Sequence, residues 1–142
     1  MTFEEIEEKL PNGFHDAKIR NIGMDFVGLS LAVEMELHAS EHGDPDRERY
    51  RRGTLRLGSP CLFFIEPPDP RYPFVPDGVP LNVDGDSVKI GQNSGLDRLI
   101  PVLPQNSSLY RFFLEEWNSF IYLGGGNVEF SWNDGAVLEG GE

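Results

Sequence analysis

The nine residues from Leu29 to Leu37 constrain the fold of this chain more than any other segment. Apolar side chains occupy every second position, and small or polar side chains lie between them. The apolar set is Leu29, Leu31, Val33, Met35 and Leu37. Because successive side chains of a strand point to opposite faces, this period of two predicts a β-strand with one face in the core.

Most of the remaining chain has the same short period, interrupted by turn residues. Residues 17–26 predict one bent strand, because the alternation changes phase near Asn21, which is typical of a β-bulge. Further strands are predicted at residues 50–57, 61–65, 109–116, 120–123 and 128–132. Val83, Val88 and Ile90 flank Asp84-Gly85-Asp86, which predicts either a short hairpin with its turn here or an edge strand.

One short helix is predicted over residues 2–10. Thr2 and Glu5 have the spacing of a capping box, and Phe3, Ile6 and Leu10 fall on one helical face. Pro11-Asn12-Gly13 then ends the pattern.

Six to eight short strands without a long crossover helix predict a mainly β fold, an antiparallel sandwich or a partly open barrel. We expect a single domain over residues 1–142, with a frayed tail at residues 139–142. The expected core comprises Leu29, Leu31, Val33, Met35, Leu55, Leu57, Phe63, Ile65, Phe112, Leu114, Val128 and Phe130. Cys61, in an apolar run, is expected to be a buried and unreactive thiol.

The charge balance limits the classes of partner. Twenty-four acidic and twelve basic residues give a net charge of −12, which disfavours nucleic acid and anionic membranes. The same excess would attract a basic protein partner, although keeping a cytoplasmic protein soluble is the favoured explanation of the charge. The acidic N-terminal residues contain no positive segment and no long apolar run. We therefore expect neither a secretory signal nor a transmembrane helix, and a cytoplasmic location in a bacterium.

Arginines concentrate in one segment of this acidic chain: Arg47, Arg49, Arg51, Arg52 and Arg56 lie within ten positions. Such a cluster can bind an anion or a carboxylate, since each guanidinium presents a planar fork of donors. Asp44, Asp46 and Glu48 are near enough in sequence to neutralise it, so cross-strand ion pairs are the favoured interpretation.

Six prolines between Glu66 and Pro80 exclude a regular ladder strand and predict an extended surface loop. The same segment carries Tyr72, Phe74 and Val75. We expect Tyr72 and Phe74 to cover an open end of the sheet, with the prolines at an exposed rim. The alternative is a preorganised contact surface, so the candidate partner contacts are Arg47, Arg49, Arg51, Arg52, Tyr72 and Phe74.

Three clusters of polar residues are candidates for a catalytic or metal site. His15 and Asp16 are adjacent, so on a strand their side chains diverge; we expect a turn role for Asp16 and a packed His15. The 38–46 loop contains His38 and His42 with acidic residues but has no recognised ligand spacing. Residues 82–87 imitate the start of a calcium loop, yet the glycine is at the wrong place.

Gly124-Gly125-Gly126 precedes a strand rather than a helix, so a bulge or a close backbone contact is expected there, not a phosphate loop. The serines lie in no nucleophile elbow. The sequence therefore predicts no catalytic residue, no metal and no cofactor.

The segment LPNGFHDAKIRNI resembles the opening of a family of small, largely uncharacterised bacterial β domains. In these domains a short helix leads into a Leu-x-x-Gly-Phe/Leu-His-Asp-Ala-x-Ile strand. Some members resemble immunity proteins of bacterial toxin systems. The resemblance covers about the first quarter of the chain, and it implies a style of fold without assigning a catalytic residue.

These observations favour a non-enzymatic binding or protein-interaction module, of the immunity type, that acts through an acidic surface. The alternative is a small-molecule-binding domain or an unrecognised enzyme with a pocket at an open end of the sheet. A third hypothesis is an assembly domain that forms homo-oligomers through an edge strand.

Overall fold

The computed structural model describes residues 1–38, 50–72, 78–88 and 107–134. These residues form one short helix and six strands. In chain order they are α1 Phe3–Lys9, β1 Ala17–Asp25, β2 Ser30–His38, β3 Tyr50–Ile65, β4 Leu81–Ser87, β5 Ser108–Leu114 and β6 Ser119–Trp132. The predicted fold class, mainly β and antiparallel with a short N-terminal helix, is confirmed.

The six strands form a ring in the order β1-β2-β3-β6-β5-β4, and all neighbours are antiparallel. Most ladders are long, but β1 and β4 pair only through Ala17–Val83, Lys18–Asn82 and Ile19–Leu81. The ring is therefore closed by a ladder of three residue pairs, which makes it intermediate between a sandwich and a barrel.

β3 and β6 are the two long strands, and each was predicted as two separate strands. Gly58-Ser59-Pro60 does not end β3; the left-handed Ser59 (φ 46°) and a register shift after Pro60 form a bulge within it. Gly124-Gly125-Gly126 likewise lies inside β6. A Cβ on Gly125 would lie 3.0 Å from the carbonyl oxygen of Gly58, so the predicted close backbone contact is confirmed.

The predicted bulge in β1 is also confirmed, because the β1–β2 register shifts between Ile19 and Asn21. Helix α1 begins as predicted, with the Thr2 hydroxyl accepting a hydrogen bond from the Glu5 amide at 3.2 Å.

Nine of the twelve expected core residues are buried. They are Leu31, Val33, Met35, Leu55, Leu57, Phe112, Leu114, Val128 and Phe130. The prediction that Leu29 is buried is wrong. Leu29 is 63% exposed, because it lies in the β1–β2 turn with a φ of 51° rather than in β2.

The predicted burial of Phe63 and Ile65 is also wrong, since each is 41% exposed. They lie on β3 beyond Gly58, where the pairing of β3 with β2 stops. This part of β3 pairs with β6 on one side and with no described strand on the other, so its inward face is only partly covered.

Asp84-Gly85-Asp86 is not a turn, so the hairpin is wrong and the strand alternative is the one found. All three residues lie within β4 and pair with β5, from Asp84–Phe113 to Asp86–Arg111. A strand can contain this polar segment because Gly85 leaves room for the rings that pack over it. A Cβ there would lie 2.6 Å from Cε1 of Tyr110 and 2.8 Å from Cβ of Phe14.

The proline-rich segment begins as an ordered extension of β3. The Glu66 amide donates to the carbonyl of Phe120, and the Asp69 amide donates to the carbonyl of Trp117. Hydrogen bonds from the side chain and backbone of Arg71, and from Asn118, hold the pKa of Asp69 well below its usual range.

Tyr72 is 46% exposed, so the expectation that it covers the sheet is wrong. It lies past the last described backbone bond to the β5–β6 turn, made by Asp69. Phe74, Val75 and the side chain of Cys61 lie outside the described part, as do residues 139–142. In the described ranges, no helix has the length and apolar character that a membrane span requires.

Gly85→Ala tests whether the packing over β4 depends on a missing side chain. We expect a loss of about 1–3 kcal/mol in the free energy of unfolding, because the added Cβ overlaps the buried Tyr110 side chain and the Cβ of Phe14. Gly23→Ala in β1 is the control, since no atom lies within 4 Å of its Cβ position. Urea unfolding of both variants measures the difference, and equal midpoints would contradict this packing.

Candidate functional site: an acidic face

Helix α1 is amphipathic, and its packing turns its glutamates outward. Phe3 and Ile6 are fully buried, and the Phe3 ring stacks on Tyr110 of β5 with centroids 4.9 Å apart. The buried Tyr110 hydroxyl donates to Oε2 of Glu7 at 2.5 Å, and burial, followed by this bond, raises the pKa of Tyr110. Glu4 and Glu8 are thereby left exposed on the outer side of the helix.

The turn after α1 brings Asp16 against β4. Asp16 has a left-handed backbone (φ 53°), and its amide donates to Oδ1 of Asp84 at 3.1 Å. Its carbonyl accepts from the Tyr50 hydroxyl at 3.1 Å. The same Asp84 oxygen lies 3.7 Å from Nδ1 of His15. The predicted turn role of Asp16 is confirmed, whereas His15 is exposed rather than packed, because it lies in this surface turn.

Glu115 adds a third carboxylate at the end of β5. Its amide donates to the carbonyl of Asn82 at 3.0 Å, which fixes its backbone beside β4. Oxygen atoms of Asp16, Asp84 and Glu115 all lie within 4.8 Å of one another. Burial, then the negative charges of Asp84, Glu116 and Asp16, and a hydrogen bond with Asp84 raise the pKa of Glu115.

We define the acidic face by Glu4, Glu8, Asp16, Asp84 and Glu115. A shallow groove of about 510 Å³ runs beside it. The α1 glutamates Glu4, Glu7 and Glu8 form one wall, and the residues of the following turn, including His15, with Ser87 form the other.

Two described cations on β1 and β5 have contacts of their own. Arg111 pairs with Asp86, with Nη2 and Oδ2 2.8 Å apart, and Lys18 Nζ lies 4.5 Å from the centre of the Tyr50 ring. In the described ranges, Glu8, Asp16 and Glu115 form no ion pair with a lysine or an arginine. No lysine or arginine of the described part of the chain therefore neutralises these three carboxylates.

The carboxylates of Asp16, Asp84 and Glu115 are ligands of the type that hard divalent cations prefer. Asp16 and Glu115 are exposed, and Asp84 is partly buried. The arrangement concentrates negative charge at the protein surface.

The described arginines of the predicted cluster do not form one patch. Arg51 stacks on Trp132, with its Cζ 4.4 Å from the ring centre, and binds Asp134. Arg52, the next residue on the strand, lies 3.6 Å from Oε1 of Glu36. Arg52–Glu36 is a cross-strand pair of the kind the sequence favours, whereas Asp134 lies just past the end of β6. Arg47 and Arg49 lie outside the described residues.

Of the 38–46 loop, only His38 is described. Its ring packs edge-on against Tyr50, with centroids 5.6 Å apart, and its Nδ1 is buried without a partner in the described structure. Its neighbours His42, Asp44 and Asp46 fall outside the described part.

Sequence reasoning identified the excess of acid but not this face. Asp16 and Asp84 are 68 positions apart in the chain, and β4–β5 register, not local spacing, brings Glu115 to them. One available signal was the alternation of Asp84 and Asp86 around Gly85, which fits a strand as well as a turn.

Comparisons with known proteins returned no match: no family model, no curated protein and no solved structure is similar to this chain.

Glu115→Gln tests the mutual repulsion within the acidic face. A carboxyl whose pKa is raised by folding opposes the folded state once pH exceeds its unfolded value, about 4.3. We therefore expect the variant to melt higher than wild type at neutral pH and equally below about pH 4. Because Glu115 is exposed and screened, the gain should stay below about 1 kcal/mol, or about 4 °C.

Thermal melts across this pH range measure the effect. A variant that melts lower than wild type at neutral pH, or an unchanged difference at acid pH, would show that Glu115 is not under net repulsion.

Proposed function

We propose that this protein is a non-enzymatic protein-interaction module that binds a basic protein through its acidic face, in the manner of an immunity protein. The observation that supports it most is the group of three carboxylates, Asp16, Asp84 and Glu115, within 4.8 Å of one another. Three negative charges so close together repel one another, and a cationic partner would relieve that repulsion.

The surroundings of these carboxylates support a protein partner. The α1 glutamates extend the negative potential along an open groove, a shape that suits an extended lysine- or arginine-containing segment. The net charge of −12 would also accelerate association with a basic protein. The immunity assignment within this proposal rests on the LPNGFHDAKIRNI resemblance.

A second candidate is small-molecule binding, and a specific cavity favours it. A half-open cavity of about 460 Å³ lies against β3 and β6, with Thr54, Arg56 and Ser131 among its lining residues. This volume is typical of ligand sites. Neither Tyr72 nor any residue of the acidic face lines the cavity, so Arg56→Gln would impair a small-molecule site without affecting the acidic face.

The test of the proposal is titration of isotope-labelled protein with a synthetic arginine-rich peptide, followed by amide chemical shifts. We expect shifts concentrated at Gly13, Asp16, Ser87 and Glu115. Glu8→Gln with Glu115→Gln should weaken the affinity about five- to tenfold, since each removed charge is worth up to about 1 kcal/mol. High salt should weaken it further.

The matched control is Glu34→Gln with Glu129→Gln, which removes the same charge from exposed sites on β2 and β6. We expect this control to change the affinity less than about twofold. If both double variants lost the same affinity for the peptide, or if amide chemical shifts changed over the whole surface, binding would depend on net charge alone. Either result would reject the acidic face as the binding site.

A further inference from the structure

The turn between β1 and β2 exposes an apolar cluster at its tip. Phe26 is 80% exposed, Val27 98% and Leu29 63%. Isolated apolar side chains are common on protein surfaces, but three within four consecutive residues at one projecting turn are not. We call residues 26–29 the apolar tip.

Three hydrogen bonds to the backbone of the apolar tip hold its conformation. Oδ1 of Asp25 accepts hydrogen bonds from the amides of Val27 at 3.0 Å and Gly28 at 3.1 Å. The carbonyl of Leu29 accepts from the Ser59 amide at 3.1 Å, which ties the tip to β3. Because these bonds fix the tip before any partner arrives, binding would order little additional chain.

The shape and charge of the tip limit what can bind it. A projecting Phe–Val pair fits a concave apolar surface. Asp25 is the one ionised residue of the turn, and the residues that pair beside it, Ser30 and Gly58, are uncharged. With a net charge of −12, a second copy of the chain and an anionic bilayer are both repelled.

We infer that the apolar tip is a second contact element, which inserts Phe26 and Val27 into an apolar cavity of a protein partner whose rim carries lysine or arginine. The basic character of this partner rests on the proposed function, whereas the location of the contact does not. Asp16 and the tip lie at opposite ends of the nine-residue β1, up to about 30 Å apart, so each contact can be altered separately.

The probe is a β-cyclodextrin substituted with amino groups, which offers an apolar cavity with a cationic rim; unsubstituted β-cyclodextrin is the neutral comparison. In titrations of labelled protein at low salt we expect shifts at Phe26, Val27 and Gly28. The amino-substituted ring should bind the tip about three- to tenfold more tightly than the neutral one, and this preference should fall at high salt.

Phe26→Ser with Val27→Ser should weaken tip binding at least tenfold while leaving the arginine-rich peptide bound at the acidic face. Tyr72→Ser with Val79→Ser is the matched control, since it removes one exposed aromatic ring and one exposed valine elsewhere. Amide spectra of both variants verify that the fold is retained, and we expect the control to bind the cyclodextrin as wild type does.

Three results would overturn the inference. If the two cyclodextrins bound equally well, or if both double variants lost the same affinity for them, the tip would not be a site for an apolar cavity with a basic rim. Binding to phosphatidylcholine vesicles that disappears in Phe26→Ser with Val27→Ser would assign the tip to a membrane. Self-association of wild type that the same variant abolishes would assign it to a second copy. Failure of the arginine-rich peptide alone would reject the proposed function and leave the location of the tip contact standing.

Discussion

The ladder between β3 and β6 holds the two halves of the ring together: β1 and β2 on the β3 side, and β4 and β5 on the β6 side. It runs from Gly53–Trp132 to Ile65–Ile121, and it is the one ladder that extends through both halves. Residues 50–58 of β3 also pair with β2. Residues 119–125 of β6, which lie opposite the other half of β3, also pair with β5. The bulge after Pro60 inserts a residue opposite Gly124 and Gly125, where the absence of side chains lets the two backbones approach. Without this ladder, the β1–β2 hairpin and the β4–β5 hairpin would share only three residue pairs.

The position of the acidic face follows from that arrangement. The β1–β4 ladder is short and ends at Ala17–Val83, so Asp16, just before β1, and Asp84 on β4 both lie next to its last pair. Helix α1 packs against β5 and β6. Tyr110 fixes the helix through Glu7, so the remaining helix glutamates add to the same potential. The fold thus tolerates repulsion among carboxylates at one place while Leu57, Val128 and their neighbours supply the buried apolar surface.

The alternation of apolar and polar residues predicted where most strands lie, but not that β3 and β6 each continue through their glycines. Alternation placed Leu31, Val33 and Met35 in the core because period two is a property of each strand alone. It failed at Leu29 because a left-handed turn residue can continue an apolar pattern by chance. It also divided β3 and β6 at their glycines, since glycine signals a turn and a close strand contact equally. The acidic face was beyond prediction from local spacing, because register across β4 and β5 creates it.

Native-state hydrogen exchange tests most directly whether β3 and β6 make the ring one cooperative unit. The account predicts that paired amides of the two strands, on both sides of the Pro60 bulge, exchange slowest and with the same free energy of opening. Amides in the interior of β2 and β5 should follow at equal or slightly lower protection. A result in which Leu55 and Leu123 open with clearly different free energies would show that the two halves unfold independently, and would contradict the account.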